Sequence, residues 1–174
     1  MENETLQLLK DYSRFRLFNS PIKQEKLEKF PCGSPSSNAK KLRYLAHHWA
    51  TEVKKWPQLT DNRDFAIQNF FEFHACVSRA FENITTFTAK HVYAFFEFTS
   101  VCCVFAVSTA INGENVDDIC SYASQFLQES EKFQRFLYQQ RGWTEFLSKE
   151  YNKSKIQQES LFDHWLATLS EDQF

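Results

Sequence analysis

An all-α fold is predicted by three features of this sequence. Only 3 glycines and 4 prolines occur among 174 residues, too few chain reversers for the many turns of a β-sandwich or barrel. Apolar residues recur at intervals of three and four along several segments, the spacing that gathers them on one face of a helix. The twenty residues 92–111 contain Glu97 as their single charged side chain, which describes a helix apolar on every face and therefore buried. The 19 phenylalanines supply the core, since each can remove about 150–250 Å² from water. A chain of this length favours one domain spanning 1–174.

The first helix is expected over about residues 3–18, where Leu6, Leu9, Tyr12, Phe15 and Phe18 recur every three positions and Leu8 fills in. Asn19-Ser20-Pro21 stops it. Residues 19–37 hold three of the four prolines, together with Gly33 and Ser34-Pro35-Ser36-Ser37, and read as a flexible loop. Leu42, Leu45, Ala46, Trp49, Val53 and Trp56 then form a helical stripe, capped by Ser37 or Asn38 and halted by Pro57.

From Thr60 or Asp61, a pattern through Phe65, Ile67, Phe70, Phe71, His74, Val77 and Phe81 predicts one or two helices ending near Asn83, with a break at Thr85-Thr86. The apolar helix 92–111 follows. Its length would allow a membrane span, but Glu97, Thr99, Ser100, Ser108 and Thr109 make a bilayer costly, and a central core helix is the better reading. Asn112-Gly113 ends it. Asn115 caps a further helix, with Asp117 and Asp118 in its first turn and Ile119, Ala123, Phe126, Phe133, Phe136 and Leu137 along it. After the interruption Arg141-Gly142-Trp143, two short helices close the chain. The first carries Trp143, Phe146 and Leu147, the second Leu161, Phe162, Trp165 and Leu169. Seven or eight helices result.

Charge and motif content narrow the function. The formal net charge is -2 and the two signs are interleaved, so the concentrated basic face that nucleic acid requires is absent. The glycines stand apart at 33, 113 and 142, which excludes a phosphate-cradling glycine loop. None of the five histidines and five cysteines sits at paired-ligand spacing, and no metal or other cofactor is expected. Spacing does not decide whether a Cys and a His meet in space, but cysteines in an apolar helix read as packing, and no enzymatic activity is expected. The odd number of cysteines and the acidic start Met1-Glu2-Asn3-Glu4, with no apolar run behind it, fit a cytoplasmic protein with reduced thiols.

Two segments carry a resemblance. His91-Val92-Tyr93-Ala94-Phe95-Phe96-Glu97-Phe98, followed by Val101-Cys102-Cys103-Val104, resembles the first homology motif of the Bcl-2 family of apoptosis regulators, usually NWGR followed by IVAFFEF. Gln139-Gln140-Arg141-Gly142-Trp143-Thr144-Glu145-Phe146 resembles the second, with its Gly-Trp pair and an aromatic three positions on. Leu42-Arg43-Tyr44-Leu45-Ala46-His47-His48-Trp49 resembles the third, except that His47 stands where the family has an Asp that pairs with a partner's Arg. Helix 3–18 occupies the place of the fourth. The resemblance covers about residues 3–169.

It implies a Bcl-2-like bundle around the central helix and a pro-survival regulator. Such a protein binds the amphipathic BH3 helices of pro-apoptotic relatives in an apolar groove. The candidate lining is Val53, Phe70, Phe71, His74, Val77, Phe81 and Phe95, with Phe98 and Val101 in the floor. Where the family has Asn-Trp-Gly-Arg, this chain has Thr88-Ala89-Lys90-His91; the groove arginine becomes His91 and the glycine that admits a partner helix becomes Lys90, so partner choice should shift. Gly142 and Trp143 are expected to be structural, with Trp143 packing the last helices on the central one. The alternatives are a pore-forming effector of the mitochondrial outer membrane, against which His47 argues, and a scaffold of the same fold with another partner. Many relatives associate with the mitochondrial outer membrane through a C-terminal apolar anchor. Residues 160–174 carry Asp163, His164, Glu171 and Asp172, so an anchor is expected to be absent from this chain.

Overall fold

A computed structural model describes residues 3–19, 35–54, 83–109 and 115–172. Among these the structure is all-helical, with α1 (Glu4–Phe18), α2 (Ser37–Lys54), α3 (Ala89–Thr109), α4 (Asn115–Glu129), α5 (Glu131–Gln139) and α6 (Trp143–Asp172). The expected helices between 61 and 83, and most of the loop 19–37, lie outside the described residues.

The starts of α1, α2 and α5 are each set by a short polar side chain. Asn3 Oδ1 accepts from the Thr5 amide at 3.0 Å, while Asn3 Nδ2 donates to Ser124 Oγ of α4 at 3.2 Å, so one residue caps α1 and ties it to α4. For α2 the cap is Ser36, whose Oγ accepts from the Ala39 amide at 3.2 Å, one residue before the earlier of the two expected caps. The helix expected to run unbroken from 115 past Phe136 is divided at Ser130. That residue's amide closes α4 on Phe126 O (3.1 Å), and its Oγ opens α5 by accepting from the Phe133 amide (3.3 Å). Serine competes for backbone partners in this way more readily than a helix interior tolerates.

The two expected closing helices are one, α6, which runs thirty residues without interruption. Its start is fixed by the turn from α5. The Gly142 amide donates to Leu137 O (3.0 Å) and the Arg141 amide to Tyr138 O (3.1 Å), the paired bonds of a Schellman ending. Arg141 and Gly142 both take positive φ, 64° and 96°. The second suits glycine because it has no Cβ to strain, and Gly142 O then accepts from the Phe146 amide to begin α6.

Helix α3 is the centre. It packs against α1, α2 and α4, and α6 packs along α2. Val92, Tyr93, Phe95 and Phe98, on different faces of α3, are all buried, as the absence of a polar face requires. No helix among the described residues is long and apolar enough to cross a membrane.

Candidate functional site

The start of α3 carries Lys90 and His91, with Phe95 one turn further on. Thr88 precedes the helix, and His91 Nδ1 accepts from the Thr88 amide at 2.9 Å and lies 3.1 Å from Thr88 Oγ1. This is one half of a capping box, the side chain of the third helical residue reaching back to the cap amide, with an imidazole in place of the usual Glu or Gln; the His91 amide itself donates to Thr88 O at 3.1 Å. The ring also lies 5.4 Å from Phe87, which in turn meets Phe133 and Phe136 of α5. Lys132 Nζ of α5 donates to Ile84 O at 2.6 Å, so α5 holds the approach to α3 at both a polar and an aromatic contact.

His91 is half-buried, and burial lowers its pKa from 6.5. The bond from the Thr88 amide requires Nδ1 without a proton, and a cation in the first turn would oppose the helix dipole. The native state therefore favours the neutral ring. The unfolded chain takes up the proton first as pH falls, so the contribution of His91 to stability is present above pH 6.5 and is lost as pH falls from there through the lower native pKa. Comparing denaturant midpoints of the wild type and His91→Gln across pH 5–8 checks this. The amide keeps an acceptor and does not titrate, so the wild type should lose more stability than the variant on the acid side.

Lys90 is exposed beside His91. Phe95 is buried and stacks on Phe126 of α4, with centroids 5.6 Å apart and planes 26° from parallel. Phe98 is buried and Val101 half-buried. The other groove candidates, Phe70, Phe71, His74, Val77 and Phe81, lie outside the described residues, as does the side chain of Val53. On α2, Leu42 and Ala46 face the core, whereas His47 is exposed.

Trp143 opens α6 and is 3 % exposed. Its ring meets Phe96 of α3 edge-on at 5.3 Å and Phe133 of α5 at 5.6 Å, while Nε1 donates to Thr5 Oγ1 of α1 at 3.0 Å. Three helices are thereby joined to the first residue of a fourth.

The most unusual group is Glu97, wholly buried in the middle of α3. Tyr12 of α1 donates its hydroxyl to Glu97 Oε1. Arg16 Nη2, also from α1, lies 3.2 Å from Oε2, and Arg43 Nη1 from α2 lies 3.2 Å from Oε1. A buried carboxylate persists only when charge and hydrogen bonds compensate its lost hydration, and here two cations and a phenol do so. Burial first, and then the adjacent negative charge of Glu97, push the Tyr12 pKa well above its ordinary value, so the phenol remains a donor. Glu97 was visible in the sequence as the lone charge in an apolar helix. Its partners were not, because Tyr12, Arg16 and Arg43 sit on stripes that read as ordinary amphipathic helices. The signal that could have found them is the necessity of a buried cation for such a carboxylate, with Arg16 and Arg43 each beside core positions.

Among the described residues no cluster of His, Cys, Asp and Glu could hold a metal ion. No protein-family model, no curated protein and no solved structure matches this chain.

Proposed function

We propose that this protein is a divergent pro-survival member of the Bcl-2 family, of Bcl-2-like fold, which sequesters BH3 helices of pro-apoptotic proteins in an apolar groove. One observation carries the reading most. The segment His91–Phe98 that resembles the family's first motif lies in the central helix of an all-helical bundle, and Trp143 of the second motif packs directly on Phe96 of the first. Two remote sequence matches thus meet in space at the core. Helix-in-groove recognition needs apolar anchors together with a charge that sets the register of the ligand. Its site of action would be the cytoplasm and the surface of the mitochondrial outer membrane, where the partners act.

The register charge moves by one position in this reading. His91, at the place of the family arginine, spends Nδ1 on the start of its own helix, whereas Lys90 is exposed one residue earlier. Lys90 is then the cation that meets the conserved Asp of a BH3 ligand. An exposed pair of this kind contributes about 0.2–1 kcal/mol, so Lys90→Ala should weaken a BH3 peptide about two- to fivefold, with no such loss against the same peptide carrying Asn for Asp. His91→Gln should leave affinity unchanged between pH 5.5 and 8. If affinity in the wild type instead rises toward acid pH and His91→Gln removes that rise, the register charge belongs to His91.

A further inference from the structure

The outer side of α5, opposite the Phe133 and Phe136 face that meets Phe87, has no part in the site described above. An open cleft of about 630 Å³ lies there, lined by Gln134, Leu137, Tyr138, Gln139, Arg141 and Gly142. Tyr138 is 86 % exposed, more than any other large apolar side chain among the described residues. Arg135, one turn before it, and Arg141, in the turn after it, are both exposed. Among the described residues neither guanidinium has an ion pair or a hydrogen bond. From Lys132 to Thr144 the chain holds Lys132, Arg135 and Arg141 and no Asp or Glu, so this surface is positive in a protein of formal net charge -2. Gln134 donates Nε2 to Leu127 O at 3.1 Å, which fixes one wall of the cleft to α4. Arg141 is costly where it stands. Its φ of 64° lies in the left-handed region, at the position of a Schellman ending that glycine usually fills. Residues held in such conformations gather at functional sites, where the side chain matters more than a relaxed backbone.

We infer that this cleft is a docking site for an acidic peptide segment of a partner protein, separate from the site at the start of α3, in which Arg135 and Arg141 pair with carboxylates on either side of an apolar residue seated on Tyr138.

The chemistry of the cleft selects this occupant. A guanidinium fork matches a carboxylate with two parallel hydrogen bonds, and a tyrosine ring offers an apolar side chain a rigid platform at little conformational cost. Arg and Tyr are also the residue types that carry much of the binding energy at protein interfaces. The cleft is open along the helix, unlike the concave pockets that enclose a small molecule, and the exposed amide of Gln139 can both donate to and accept from a peptide backbone. Two free arginines are too few for the many phosphate contacts on which nucleic-acid binding depends. A bilayer surface calls for a cluster of about four to eight basic residues.

The test presents the full chain to an array of short peptides in which one Leu, Phe or Tyr is flanked by Asp or Glu, each matched by a version with Lys in place of the acids. The acidic set alone should bind, and less tightly as salt is raised. Tyr138→Ala and Arg141→Gly should each weaken the best peptide about tenfold. Glycine suits the backbone at 141, so Arg141→Gly should melt at the wild-type temperature or above it, and its loss of binding is then not a loss of fold. On binding, the amide NMR signals of residues 134–142 should move and that of Lys90 should not. No preference for the acidic set, wild-type binding in both variants, or a lower melting temperature in Arg141→Gly would each overturn the inference. So would binding that depends on Arg141 but is seen only with phosphatidylserine vesicles, a single-stranded RNA oligonucleotide or a second copy of the chain.

Discussion

Replacing Glu97 by Gln is expected to cost about 3–5 kcal/mol, the penalty for removing one partner of a buried ion pair. The direction follows from the charges. With the carboxylate gone, Arg16 and Arg43 remain against α3, one from each neighbouring helix, with a neutral amide between them. The amide offers a single acceptor oxygen where Tyr12 and Arg43 on Oε1 and Arg16 on Oε2 had used both. Substituting either arginine by Met should cost less than Glu97→Gln, because a balanced pair survives. Guanidinium denaturation of the three variants gives the order. Equal losses in all three would mean that each arginine acts by its packing and not by its charge.

Trp143→Ala is the second large effect, about 3–5 kcal/mol for the cavity left by a buried aromatic. The ring touches Phe96, Phe133 and Phe146, and truncation loosens α3, α5 and α6 together. Trp143→Phe separates the polar share of the effect. It keeps an aromatic body and removes the donor to Thr5 Oγ1, worth about 1 kcal/mol. Thermal melting of both variants should place Phe close to the wild type and Ala far below it. Full stability in Trp143→Ala would contradict the role of this residue as a junction of four helices.

The helices were legible where apolar spacing and caps agreed. Leu6, Leu9 and Tyr12 marked α1 at its true extent, and the charge-poor run around Phe96 marked the central helix. Its start was less visible. Ala89, Lys90 and His91 carry no apolar stripe, and the cap depends on an imidazole taking the role usually filled by Glu or Gln. The break at Ser130 is not legible because apolar residues continue in helical step on both sides of it, and periodicity does not report a backbone that breaks and restarts within one residue. The long α6 reads as two pieces for the opposite reason. Residues 149–157 lack an apolar stripe, yet Tyr151 meets Tyr44 of α2 at 5.1 Å and Lys155 lies over the Tyr151 ring, contacts that polar and aromatic side chains make without a hydrophobic period. At the candidate site the residue types were legible and their division of labour was not. Only the bond from Thr88 shows that His91 serves its own helix, and only the geometry shows which cations Glu97 recruits.

The central claim is recognition of a BH3 helix, and calorimetric titration of the protein with a panel of BH3 peptides of about 20–30 residues tests it most directly. At least one peptide should bind with one-to-one stoichiometry and a submicromolar Kd, as a few buried apolar anchors in a groove commonly provide. The same peptide with its apolar anchors replaced by Glu should not bind. Absence of heat or binding with every peptide in the panel, from protein shown to be folded by circular dichroism, would contradict the account.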